Sequence, residues 1–249
     1  MPAAIIAGTL MYEVPNMTLT EKIIDTPYGR TLVYEVQGAG TELIFLPRHG
    51  LKHDTPPHKI NYRANLKALE ILGVKRVIAV NAVGSINKEV APLDLVVLSD
   101  YLDFTSGREL SFFDGGDSGV KHVDMSKPYC SYLREKILAL APTYDIRIHP
   151  QGVYVCTNGP RLESPAEIRM YEKLGGDVVG MTGLPEAVLA KELDICYASV
   201  SFSINWAAGF MDTIEFISDA EGLNKTQKNL MELLMETFET TTDDECSIR

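Results

Sequence analysis

Short runs of Val, Ile, Leu and Ala alternate along the chain with longer stretches whose apolar residues recur at helical spacing. Ala4–Ile6, Leu43–Leu46, Arg76–Val80, Asp94–Leu98, Gly152–Cys156, Val178–Met181 and Cys196–Ser201 are too short for helices and read as strands. Tyr62–Leu72, Tyr132–Ala141, Ala166–Leu174, Pro185–Glu192 and Asn224–Thr240 read as helices. This interleaving predicts an α/β fold with a mixed or largely parallel central sheet flanked by helices. No internal repeat or Pro/Gly/Ser-rich linker interrupts it. One domain over residues 1–240 is therefore expected, with 241–249 as a flexible polar tail and Asp114–Gly119 as an exposed or partner-facing loop.

With 249 residues, 45% hydrophobic and 23% charged, the chain can bury a sizeable core. Its 34 acids against 23 bases give a net charge of −11, which disfavours nucleic acid and anionic membranes as partners. No window reaches the roughly 18 consecutive apolar residues of a membrane span, and the first ten residues lack a signal-like pattern, so a cytoplasmic protein is expected. Cys130, Cys156, Cys196 and Cys246 show no metal-binding spacing and read as reduced, mostly buried thiols. No metal site is expected.

Open α/β sheets bind ligands beyond the carboxyl ends of their strands. Four loops lie there: Gly8-Thr9, Arg48-His49-Gly50, Asn81–Ser85 and Met181-Thr182-Gly183. Small and hydroxylated loops let backbone N–H groups approach an oxyanion, and Arg48 and His49 add charge-assisted donors. Taken singly, each has a plainer reading as a tight turn or a surface ion pair. Their joint occurrence is what points to an anion site. Glu163 and Arg161, ahead of a helix start, and Asn205, placed just past the last strand, also read structurally when taken alone.

Five runs together carry a resemblance: Arg48-His49-Gly50, Pro56–Asn65, Ala82–Ser85, Asn158–Glu163 and Gly180–Glu186. In this order they resemble the purine nucleoside phosphorylase and methylthioadenosine phosphorylase family, from about Ile5 to Gly209. The resemblance implies one α/β domain, a homotrimer that can pair into a hexamer, and no cofactor beyond inorganic phosphate as co-substrate. It implies a nucleoside and phosphate as small-molecule partners. The phosphate ligands would be Thr9, Arg48, His49, Asn81, Ala82 and Thr182, with Met181 against the sugar. Arg48, His49 and Asn205 would be the catalytic groups, Asn205 donating to purine N7.

Base choice follows from the same resemblance. Adenosine-type members carry Asp-x-Asp where this chain has Asn205-Trp206-Ala207. Glu163 falls where the 6-oxopurine branch accepts N1–H. Together these imply hypoxanthine or guanine over adenine. The last histidine is His149, so the C-terminal third supplies no partner for a 5′-hydroxyl. Phe210, Met211, Ile214, Phe216 and Ile217 could instead line an apolar 5′ pocket or pack as a surface helix. His122 matches the residue a neighbouring subunit places near the 5′ group. The pattern resembles the branch acting on S-methyl-5′-thioinosine, with inosine/guanosine and methylthioadenosine phosphorolysis as alternatives. Leu10 stands where the family has glycine, and it motivates a different class, a purine-binding protein without catalysis.

Overall fold

The computed structural model describes residues 1–11, 14 and 17–241. In chain order β1 (Ala3–Ala7), β2 (Thr18–Thr26), β3 (Gly29–Gln37) and β4 (Leu43–Pro47) precede α1 (Tyr62–Ile71) and β5 (Arg76–Ser85). Then come β6 (Leu95–Val97), β7 (Asp100–Asp103), α2 (Ser131–Leu140), β8 (Ile148–His149) and β9 (Val153–Cys156). The remaining elements are α3 (Pro165–Lys173), β10 (Val178–Gly180), α4 (Glu186–Glu192), β11 (Cys196–Trp206) and α5 (Ala220–Glu239). All strands join one mixed sheet, as the interleaved pattern predicts.

β1, β4 and β5 are parallel and buried on both faces, which is why they read as unbroken apolar runs. Ala4, Ile6, Ile44 and Leu46 pack on one side with Leu66 and Leu69 of α1 and Leu189 of α4. Ile5, Leu43 and Phe45 pack on the other with Leu133 and Ile137 of α2 and Leu230, Leu234 and Phe238 of α5. Each fully buried Leu, Ile or Phe contributes about 1.5–3 kcal/mol of transfer free energy. Helix starts are encoded locally. The Asn61 side chain accepts from the Ala64 amide, and Ser164 with Glu167 forms a reciprocal capping box ahead of Pro165.

Several expectations are corrected. The β2–β3 hairpin and the short strands β7 and β8 went unread, because their sequences mix polar residues with apolar ones. Asn81–Ser85 is strand and not loop: β5 runs through it, held along its length by parallel β11. Asn205 likewise lies inside β11, whose pairing with β5 carries it to Trp206. Asp114–Gly119 is an exposed loop with one short 3-10 turn. Thr241 is packed: it is buried, and its carbonyl accepts from Arg76 Nη1 at 2.8 Å. Residues 242–249 of the expected tail, with Cys246, lie outside the described residues.

Cys130 and Cys196 are joined in a disulfide, contrary to the reduced thiols expected. The fold brings the start of β11 beside the residue before α2, where the Cys130 amide donates to the Tyr197 carbonyl at 2.7 Å. A separation of 66 residues leaves no trace of that pairing in spacing. Cys156 is a free, buried thiol that burial pushes up to about 12.

Candidate active site

The site originates in a gap in the pairing of β5. β11 occupies one edge of β5 throughout. On the other edge, parallel β1 pairs up to Ala79, while antiparallel β10 pairs only at Gly84 and Ser85. The ends of β1 and β10 thus approach each other head-on over Val80–Val83. Gly8-Thr9 and Met181-Thr182 meet there, at a switch in strand order of the kind that forms ligand crevices. A cleft of about 450 Å³ opens at this point. Thr9, His49, Ala82, Glu163, Met181, Thr182, Asn205 and Ala207, all singled out from the sequence, line it.

Two expected ligands do not reach the cleft wall. The Arg48 guanidinium is wholly buried and fills the gap in β5, donating from Nη1 to the Val80 carbonyl at 2.7 Å. Its Nε and Nη2 donate to the two carboxylate oxygens of Glu186 at 3.1 and 2.8 Å. Glu186 also accepts from the Tyr197 hydroxyl at 2.7 Å. Burial opposes the Arg48 charge, but Glu186 more than offsets it and holds the guanidinium protonated above its ordinary range. Gly8 has no side chain because a Cβ would sit 2.7 Å from Arg48 Nη1 and 2.9 Å from the Val80 oxygen. Arg48 therefore stands directly behind the Gly8-Thr9 loop. Asn81 is the second residue behind the wall. It is fully buried, donating to Ser199 Oγ at 2.7 Å and accepting from Thr182 Oγ1 at 3.0 Å. It braces Thr182 from behind.

The Thr182 and Gly183 amides both donate to the Tyr154 hydroxyl, at 3.1 and 3.3 Å. With its amide given to Tyr154 and its hydroxyl proton to Asn81, Thr182 can donate to an anion in the cleft only by turning that hydroxyl away from Asn81. His49 contacts the Thr55 carbonyl through Nδ1 at 2.8 Å, which fixes the neutral ring with its proton on that nitrogen and leaves Nε2 as an acceptor. Burial, assisted by the charge of Arg48, lowers His49 from its ordinary 6.5 to about 4. The unfolded chain therefore binds this proton at higher pH than the folded one. The stability His49 confers is complete above pH 6.5 and is lost as pH falls through about 4. Urea titrations between pH 7 and 4 are expected to show this acid slope in the wild type and to lose it in His49→Gln; equal slopes would remove His49 as its source.

On the cleft wall beside Met181, Glu163 Oε1 accepts from Thr157 Oγ1 at 2.7 Å, leaving its second oxygen with capacity to accept. A register shift between Ser203 and Asn205 turns the strand, so that Asn205 faces the cleft. Its Nδ2 donates to the Trp206 carbonyl at 2.8 Å. Room for the carboxamide exists because residue 84 is glycine: a Cβ there would lie 3.2 Å from Asn205 Nδ2. Ala207 lines the wall beside it. Ile214 and Phe216 also line the cleft, and the segment carrying them is no helix. It pairs with β11, Phe216 opposite Asn205 and the Ile217 amide donating to the Ile204 carbonyl. Phe210 stacks on Trp206 at 5.5 Å, Ile217 packs into the core, and Met211 is exposed.

A phosphorylase superfamily model matches residues 2–238. The chain belongs to the phosphorylase superfamily. Within it, the chain is 46% identical over 240 residues to a probable 6-oxopurine nucleoside phosphorylase of Moorella thermoacetica, covering 96% of this chain and 92% of that one. It is also 46% identical over 228 residues to a probable S-methyl-5′-thioinosine phosphorylase of Methanothermobacter thermautotrophicus, covering 90% and 79%. Among solved structures it resembles methylthioadenosine phosphorylase from Schistosoma mansoni in complex with adenine. The TM-score is 0.87 at 28% identity, covering 95% of this chain and 90% of that one.

Leu10 adopts φ 72°, the left-handed region where glycine is favoured, at a cost of about 1 kcal/mol or more. Its carbonyl accepts from Gln227 of α5 at 2.5 Å. Thr9 keeps its place on the cleft. His122 does not reach the cleft of its own chain: it is exposed, on the loop ahead of α2. The expectations missed Glu186, Tyr154 and the cleft residues His53 and Asp54. Glu186 closes the Gly180–Glu186 run, but in sequence it reads as an ordinary acid in a first helical turn. No helix among the described residues is long and apolar enough to cross a membrane.

Proposed function

We propose that this chain cleaves the N-glycosidic bond of a 6-oxopurine nucleoside with inorganic phosphate, giving free base and a pentose 1-phosphate. The 5′-methylthio nucleoside is the preferred substrate. One observation carries this reading: Glu163 and Asn205 line the same cleft as Thr9, His49 and Thr182, with Ala207 offering no second carboxylate. A monohydrogen phosphate seated at Thr9, Ala82 and Thr182, its hydroxyl donating to His49 Nε2, attacks the anomeric carbon as the bond to purine N9 breaks. The bonding pair leaves with the base. Asn205 donates to N7 as charge accumulates there, and Glu163 accepts N1–H. Met181 packs against the sugar, and Ile214 and Phe216 present an apolar surface to the 5′ group. The nucleophile is phosphate itself, so the reaction as assembled calls on no further cofactor.

Adenine has no hydrogen on N1, so it would leave the second Glu163 carboxylate oxygen, the one Thr157 does not reach, without a donor. A panel of adenosine, inosine, guanosine and their 5′-methylthio forms, each with and without phosphate, tests the reading. Phosphate-dependent release of hypoxanthine, with kcat/KM highest for methylthioinosine, is expected. No phosphate-dependent release from any 6-oxopurine nucleoside would refute it; equal use of inosine would refute the 5′ preference alone. The reading includes a homotrimer in the cytoplasm, in which His122 reaches a neighbour's cleft. Light scattering showing a monomer at assay concentration would remove that part.

A further inference from the structure

Arg108, on the loop after β7, is not part of the cleft wall, yet its guanidinium gathers the segments that form it. Nη2 donates to the carbonyls of Met181 at 2.8 Å and of Thr157 and Asn158 at 3.2 Å each. Nη1 donates to the Leu184 carbonyl and to the Tyr62 hydroxyl, the latter at 3.3 Å. Tyr62 in turn donates to the Pro57 carbonyl at 3.3 Å, and its ring lies 5.4 Å beneath the guanidinium. These acceptors belong to three walls. Thr157 holds Glu163, Met181 and Leu184 flank Thr182, and Pro57 lines the side next to His49.

All five acceptors are neutral, whereas Arg48 is matched by Glu186. A planar fork can hold several carbonyls from different segments at fixed relative positions. A lysine ammonium brings three donors and no fixed plane. The loop bearing Arg108 is itself moored, since Glu192 of α4 accepts from Ser111 Oγ at 2.7 Å and from the Phe112 amide at 2.8 Å.

We propose that Arg108 is a positioning residue that holds the Thr157-Asn158 segment, which bears the partner of Glu163, in register with the Met181–Leu184 segment. This rests on the phosphorolysis reading for its kinetic consequence but not for its geometry. A misplacement of about 1 Å between reacting groups costs on the order of 100-fold in rate. Arg108→Ala is therefore expected to lose about 100-fold in kcat on its favoured nucleoside, with both KM values within about threefold. Free guanidinium at millimolar concentration should restore part of that rate. Arg108→Lys keeps the charge and should still fall about tenfold in kcat.

Hydrogen exchange on Arg108→Lys supplies the readout that needs no activity. Protection at the Thr157, Thr182 and Gly183 amides should drop about tenfold while the β1 and β4 amides stay as in the wild type. Unchanged protection at those three amides overturns the clamp, whatever the enzyme turns over. Lost protection with wild-type kcat overturns its positioning role. A wild type that phosphorolyses nothing in the panel refutes the functional reading instead, and the exchange result still decides the clamp.

Discussion

Glu186→Ala is expected to destabilise the fold by about 3–5 kcal/mol, because it leaves the fully buried Arg48 guanidinium without its carboxylate. Two charge-assisted hydrogen bonds go at once, and the Tyr197 hydroxyl loses its acceptor as well. Denaturant melts with an unchanged m-value would measure the loss. A loss below about 1 kcal/mol would mean that Arg48 relaxes to solvent and that the buried pair is not its constraint. The apolar replacement separates stability from function. Buried ion pairs exchanged for well-packed hydrophobic side chains commonly recover stability. The triple variant Arg48→Met, Glu186→Leu, Tyr197→Phe is therefore expected to return to within about 2 kcal/mol of wild type. Its phosphate KM should nevertheless rise at least tenfold, since the cation behind Gly8-Thr9 is gone. A wild-type phosphate KM in that variant would make Arg48 a scaffold and leave phosphate to His49, Thr9 and Thr182.

The parts of this molecule that its sequence announces are those where local chemistry and burial agree. β1 and β4 are buried on both faces, so their apolar runs carry the signal unaided. Thr18–Thr26 forms an outlying hairpin strand in which Ile23 is exposed and Ile24 buried, surrounded by Thr, Glu and Lys, and no clean alternation survives. The cleft was legible for a similar reason: loops following strands collect at one rim whenever the strands are parallel. The same rule misled at Asn81–Ser85, because it assumes that a strand stops where its apolar run stops. β5 instead continues, with β11 and then β10 supplying partners from distant sequence. Arg48 exposes the deeper limit. Its residue type fits an anion ligand, but its role depends on Glu186, 138 positions away, and on an open edge of β5 that only the assembled sheet creates. Arg108 sits in a polar loop where nothing in the pattern marks it, and its importance lies entirely in the carbonyls it reaches.

Asn205→Ala is expected to lower kcat by about 10²–10³, the effect of removing one donor aimed at charge that develops in the transition state. Stability should fall by only about 1 kcal/mol, because the side chain makes a single hydrogen bond to the Trp206 carbonyl. The loss should therefore appear in turnover measured on fully folded enzyme, with little change in nucleoside KM. Asn205→Asp sharpens the test at nearly constant volume. A carboxylate supplies no proton to N7 and sets a negative charge beside a purine that is itself becoming electron-rich, so the loss should equal or exceed that of alanine. Adenosine phosphorolysis should not emerge in its place, since Ala207 supplies no second acceptor and, in the proposed binding mode, Glu163 still faces N1. Unchanged kcat in both variants would place the leaving base elsewhere in the cleft. Adenine release by Asn205→Asp would show that one carboxylate suffices to recognise a 6-amino group, and Ala207 would then lose its part in base selection.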